Sequence, residues 1–140
     1  MTPSEVRLAR ASFPAIYEMA GPVALLFYGR LFDLDPALRA LFHVDMRKQS
    51  KKLMDTLETI VSSLDRFEEM RPVLRELGAK HVGYGVKPQD YDTLSAALIW
   101  TLGQALGTRF DDEMREAWRS VIGAINEEMQ RGAACAPSHE

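Results

Sequence analysis

Residues 73–98, VLRELGAKHVGYGVKPQDYDTLSAAL, decide the fold. Pro72 is suited to the first turn of a helix, and Gly83 and Gly85 stop the helix that follows it. Pro88 then opens a second helix, with Tyr91, Leu94, Leu98 and Leu102 on one stripe, closing near Gly107. The pattern is two helices joined by a glycine-bracketed turn, and the same helical period extends outward in both directions.

Upstream, Thr2, Pro3 and Glu5 form a capping-box signature for a first helix. Gly21-Pro22 separates it from a second helix carrying LLFYGRLFDL (25–34), and Asp35-Pro36 starts a short third helix ending at Phe42. A polar, irregular stretch, HVDMRK (43–48), precedes an amphipathic segment. Its Leu53, Leu57, Ile60, Val61 and Leu64 recur at about 100° per residue. Downstream, Asp111, Asp112 and Glu113 place negative charge at the start of a last helix. Its apolar face runs through Met114, Trp118, Val121, Ile122, Ile125 and Met129 to about Gln130. No segment alternates with period 2 between hairpin turns. The expectation is an all-α domain of seven to eight helices over residues 1–131, with 132–140, GAACAPSHE, as a disordered tail.

The 140 residues are 46% hydrophobic and 26% charged, an ordinary composition for one soluble globular domain. A net charge of −3 gives no electrostatic case for nucleic acid or an anionic membrane. No apolar run approaches the ~20 residues of a membrane span, and the amino-terminal stretch mixes acid and base unlike a signal peptide. One cysteine, Cys135, excludes an internal disulfide framework and a multi-thiolate zinc site, and points to reducing cytoplasm. Its tail position offers nothing to lower its pKa, so thiol chemistry is not expected. There is no HExxH motif and no glycine-rich phosphate loop. Of the three histidines, His139 lies in the tail, leaving His43 and His81.

The order of particular residues goes further. LLFYGRLFDLDPALRALF (25–42), QSKKLMDTLETI (49–60), LRELGAKHVGYGVKPQDYDTLSAAL (74–98) and LGTRFDDEMREAWRSV (106–121) together resemble the globin family. The likeness is to single-domain bacterial haemoglobins, relatives of the globin part of flavohaemoglobins, and it spans about residues 4 to 131. It implies a globin fold around a haem b pocket. His81, in LGxxHxxYGV, takes the place of the proximal iron ligand, with its second ring nitrogen held by the Leu77 carbonyl one turn earlier. Phe42 matches the phenylalanine that packs on the haem face. Leu53, Val86, Tyr91, Leu94 and Leu98 fall where globins line the pocket, and Lys52 where a cation meets a haem propionate.

On the opposite side, Tyr28 matches the second-helix position that points at bound gas, and Gln49 best matches the distal position of the next long helix. A bound dioxygen carries partial negative charge, so donors aimed at it stabilise it by about 1.5–3 kcal/mol each. One donor at ~3 kcal/mol slows dissociation roughly a hundredfold if expressed entirely in the off-rate. The resemblance therefore implies a protein that binds dioxygen and other diatomic gases tightly, a behaviour better suited to chemistry, sensing or scavenging than to bulk transport. The competing expectation for the ligand-free protein is an internal sixth ligand, His43 or Lys52.

Flavohaemoglobin-type globins also carry a tyrosine and a glutamate that polarise the proximal histidine. Tyr91 matches the tyrosine, but the glutamate's place falls near Ala133, with Glu127 and Glu128 one to two turns too early. The flavohaemoglobin reductase half has no counterpart in these residues, so nitric oxide dioxygenase activity, the alternative function, would need a separate reductase. A partner-reporting module and a haem-free helical domain are the remaining alternatives. Monomer and weak dimer stay equally open.

Overall fold

The computed structural model describes residues 1–42 and 45–135. Six α-helices and one longer 3-10 helix form the frame: α1 (Pro3–Glu18), α2 (Ala20–Leu34), the 3-10 helix Pro36–Leu41, α3 (Met46–Ser62), α4 (Phe67–Gly83), α5 (Asp90–Leu106) and α6 (Asp112–Ala134). Single 3-10 turns at Leu64–Arg66 and Gly107–Arg109 link α3 to α4 and α5 to α6. The all-α reading is correct, and no strand occurs among the described residues.

Caps set most of the starts. The Glu5 amide donates to Thr2 Oγ1 at 3.1 Å, and the Thr2 amide donates back to Glu5 Oε1 at 2.9 Å. Asp45 accepts from the Arg47 amide at 2.9 Å and Asp111 from the Met114 amide at 2.9 Å.

Several boundaries differ from the sequence reading. The break between α1 and α2 falls at Met19, and Gly21-Pro22 lie in the first turn of α2, where a missing N–H costs no helical bond. The Asp45 cap starts α3 at Met46, inside the stretch read as irregular. Pro72 lies inside α4, because burial of Leu64 and Phe67 carries helix start five residues earlier than the proline. α6 runs to Ala134, past the boundary expected at residue 131, because Gly132 is packed against α4. His43, and the tail from residue 136, lie outside the described residues.

In the packing, α4 lies on α6, α2 on α5, α1 on α6, and α3 on α2 and α1. Between α1 and α6 the buried Trp118 indole donates to Ser12 Oγ at 3.0 Å, and the Phe13 ring sits 6.4 Å from that indole. The α4–α6 crossing is the tightest. A Cβ on Gly78 would fall 1.8 Å from the Met129 carbonyl oxygen, and one on Gly132 would fall 1.8 Å from the Arg75 oxygen. Neither backbone can yield locally, so both positions demand glycine. Beside them the fully buried Glu128 accepts from Arg71 (2.7 Å), Arg75 (3.2 Å) and Arg131 (2.9 Å). These hydrogen bonds hold its carboxyl down at a pKa of about 2, against desolvation that works the other way.

Two outcomes follow from this crossing. Gly78→Ala, measured by urea unfolding, should cost about 1–3 kcal/mol, the penalty of overpacking a rigid contact. Glu128 has a folded pKa below its ordinary value, so its contribution is complete above about pH 4.5 and lost as pH falls toward 2. Thermal melts across that window should decline, and Glu128→Gln should flatten the decline while lowering stability at neutral pH.

Candidate haem pocket

Tyr28 sits on the inner face of α2 and is 5% exposed. Aromatic rings enclose it: Phe27 at 5.0 Å and Phe42 at 5.4 Å meet it edge-on, and Phe32 stacks at 6.1 Å. The Asp45 cap fixes where α3 begins, and so turns Gln49, at the close of its first turn, toward α2. Gln49 Nε2 donates to the Tyr28 oxygen at 3.2 Å. Burial pushes the Tyr28 phenol above its usual 10, with the Gln49 bond pulling weakly the other way, so the phenol keeps its proton. Because its oxygen accepts from Gln49, its O–H remains free to donate to a third group.

His81 stands in the last turn of α4, with Nδ1 2.7 Å from the Leu77 carbonyl oxygen. A carbonyl only accepts, so Nδ1 carries the proton and Nε2 presents a lone pair. Burial lowers the His81 pKa, the Lys52 charge adds to the lowering, and the Leu77 bond opposes both, keeping the ring neutral. Gly85, at φ 92°, turns the chain directly after this helix and lies against the Leu41 side chain. The turn returns the Val86 amide to the His81 carbonyl at 3.1 Å.

The other sequence-derived residues divide between two apolar clusters. Phe42, Leu53 and Leu94 pack, half-buried, on the cluster holding Tyr28. Leu77 and Val86 pack, half-buried, on the cluster holding Tyr91, and Leu98 touches both. α4 packs on α6 and on the turn before it, and does not pack closely on α2, α3 or α5. Half-buried Phe, Leu and Val side chains thus accompany two polar groups with no further protein partner, the His81 Nε2 and the Tyr28 O–H. The Tyr91 hydroxyl is buried and has no hydrogen-bond partner. At the rim, Lys52 Nζ lies 6.0 Å over the exposed Tyr84 ring, which meets His81 edge-on at 5.6 Å. Lys51 turns away and pairs with Asp55 at 2.8 Å. An apolar slot with one basic nitrogen and a cation at its edge fits a flat, metal-bearing group with anionic substituents.

Glu128 is bound by its three arginines, and the buried Tyr91 hydroxyl has no hydrogen-bond partner. No group of three or more His, Cys, Asp or Glu could hold a metal ion among the described residues, and no described helix is long and apolar enough to cross a membrane. Two features escaped the sequence reading. Tyr84 stands within the quoted LGxxHxxYGV motif but received no role. The Glu128 network was signalled only by Arg71 and Arg75 at i, i+4 on a facing helix.

The fold is an all-α domain of the kind found in globins. The globin family model matches residues 25–129, and the chain belongs to the globin family. It is 28% identical to neuroglobin of Tetraodon nigroviridis over 96% of this chain and 93% of that protein. It is 29% identical to a flavohemoprotein of Oceanobacillus iheyensis over 84% of this chain, which there corresponds to 30% of the relative. Among solved structures it superposes with a TM-score of 0.85 on an engineered carbene transferase whose Rhodothermus marinus parent is described as a nitric oxide dioxygenase. That pair shares 22% identity and covers 96% and 94% of the two chains. Haem-based binding of small gases is the general function that family membership supports.

The unpartnered Tyr91 hydroxyl carries a prediction of its own. In haem-free protein, Tyr91→Phe should raise stability in urea by about 1 kcal/mol or more, since a buried group without a partner is removed.

Proposed function

We propose that this chain is a haem b protein that reversibly binds dioxygen and related gases such as nitric oxide and carbon monoxide, working in the cytoplasm. The observation that carries the reading is the ordered set of donors: Gln49 to the Tyr28 oxygen, Tyr28 O–H free, and across the slot a neutral His81 with Nε2 open. His81 would hold haem, which when bound would supply an iron able to take a diatomic gas. His81 is the proposed proximal ligand, and the Leu77 carbonyl fixes its tautomer and ring plane. Phe42, Leu53, Val86, Leu94 and Leu98 exclude water from the slot, which strengthens every dipole inside it. Lys52 is placed to meet a propionate at the rim. Tyr28 donates to the gas, and Gln49 holds the phenol in the orientation that lets it do so.

The proximal side favours reversible binding. A carboxylate on an axial histidine raises its basicity, whereas His81 is held by a neutral carbonyl. Nitric oxide dioxygenation is the second reading, supported by the flavohemoprotein relative. In it Tyr28 and Gln49 hold dioxygen, Phe42 and Leu53 gate nitric oxide entry, and a separate reductase supplies electrons. Sustained ferric reduction with nitric oxide consumption would distinguish it.

Absorption spectra of the ferric, dithionite-reduced and oxygenated protein beside His81→Ala test the main reading. A Soret band lost or strongly altered in the variant is expected, and no Soret band even after haem reconstitution would overturn both readings. One broad visible band on reduction is expected for an open sixth site, whereas two sharp bands would assign it to His43 or Lys52. Tyr28→Phe should speed oxygen dissociation by about tenfold to a hundredfold, the equivalent of one hydrogen bond to a charged acceptor.

A further inference from the structure

α5 and α6 are joined by the turn Gly107–Arg109 and tied again at their far ends, where the Asn126 side-chain amide donates to Ser95 Oγ. Between these two ties lies a groove holding a cavity of about 580 Å³, a size typical of small-molecule sites. It follows α5 from Ser95 to Gly107, about 18 Å at 1.5 Å per residue. Its floor is apolar, with Ile99 and Trp100 of α5, Phe110 of the connection and Ile122 of α6. A Cβ on Gly123, which lines the groove from α6, would meet nothing within 4 Å.

The rim is cationic. Arg115 and Arg119 stand one turn apart on α6, both exposed, and no carboxylate lines the groove. Arg115 lies 5.4 Å over the Phe110 ring and makes no salt bridge among the described residues. Arg119 meets only Glu116, at 3.5 Å, a solvent-exposed pair of little worth. The arginines of the cleft between α1, α4 and α6 differ, because Asp65, Glu68 and Glu127 line that cleft with them. There the charges are met from within, and in the α5–α6 groove they are not. α5 also presents Leu94 and Leu98 to the Tyr28 cluster and Ile99 and Trp100 to the groove, so the groove is separate from the candidate haem pocket.

We propose that this groove binds a free long-chain carboxylate. The head group lies on Arg115 and Arg119, and the alkyl chain runs over Trp100, Ile99 and Ile122 toward the end closed by Ser95 and Asn126. The apolar floor supplies the affinity, which grows with each buried methylene, and the guanidinium pair selects the charged head. A groove of this length suits an extended chain better than a compact ring. A second copy of this chain fits less well. A two-fold contact sets a patch against itself, which would bring the arginines face to face with no carboxylate between them.

The probe is sodium laurate, kept below its micelle concentration and titrated by calorimetry into the holoprotein at low salt. One saturable site per chain is expected, with the Soret band unchanged and octanoate binding about tenfold or more weakly. Gly123→Leu fills the groove and exchanges a glycine for a good helix former, so its thermal midpoint should equal or exceed that of wild type. Its laurate affinity should nonetheless fall about tenfold or more. Arg115→Gln/Arg119→Gln should also weaken laurate about tenfold, with the difference shrinking near 0.5 M salt, while dodecanol binds wild type and this variant alike. Absence of saturable binding, or equal laurate affinity in wild type and both variants, would overturn the site. So would a Soret shift on binding that Gly123→Leu leaves unchanged, which would put the chain in the haem pocket. A dimer in sedimentation that Gly123→Leu dissociates, with no laurate bound, would overturn it in favour of a second copy.

Discussion

The backbone-to-backbone approach of α4 and α6 at Gly78 and Gly132 is the constraint on which the pocket depends. α4 carries His81, and it is held on one side only. With two glycines replacing two side chains, that side comes so close that the helix needs no support from α2, α3 or α5. Its other face is thereby freed to act as a wall. The three arginines around Glu128 reinforce the crossing where it is most buried, converting a carboxylate that burial would disfavour into a fixed point between the two helices.

From that fixed wall the rest of the site is a matter of register. His81 lies one turn after Leu77, whose carbonyl orients the ring. Across the slot, α2 and α3 pack on each other, so Tyr28 and Gln49 meet although they lie far apart in sequence. The two walls differ in chemistry. One offers a lone pair, the other a proton, and apolar side chains lie between them.

Much of this was legible in the residues, and the reasons for the failures are physical. Helical period gave the class of fold because every long segment buries one stripe. The sites of chain reversal were harder. Pro22 and Pro72 punctuate the sequence strongly, yet a helix tolerates proline in its first turn and, at the cost of one bond, further in. The order of residues put Tyr28 and Gln49 on the same side but did not reveal their hydrogen bond to each other, and Tyr84 stood within a recognised motif and went unassigned. The glycine crossing could not be read at all. Gly78 and Gly132 have no local signature that separates them from Gly29 or Gly123, against which a side chain would meet nothing within 4 Å. Close approach is a property of two helices together.

Flavohaemoglobin-type globins set a glutamate and a tyrosine to polarise the proximal histidine. In this chain the Tyr91 hydroxyl lies buried without a partner. The nearest buried carboxylate on α6 is bound by three guanidinium groups, and its proton affinity is lowered accordingly. The imidazole is left with a carbonyl partner, which orients it without making it more basic.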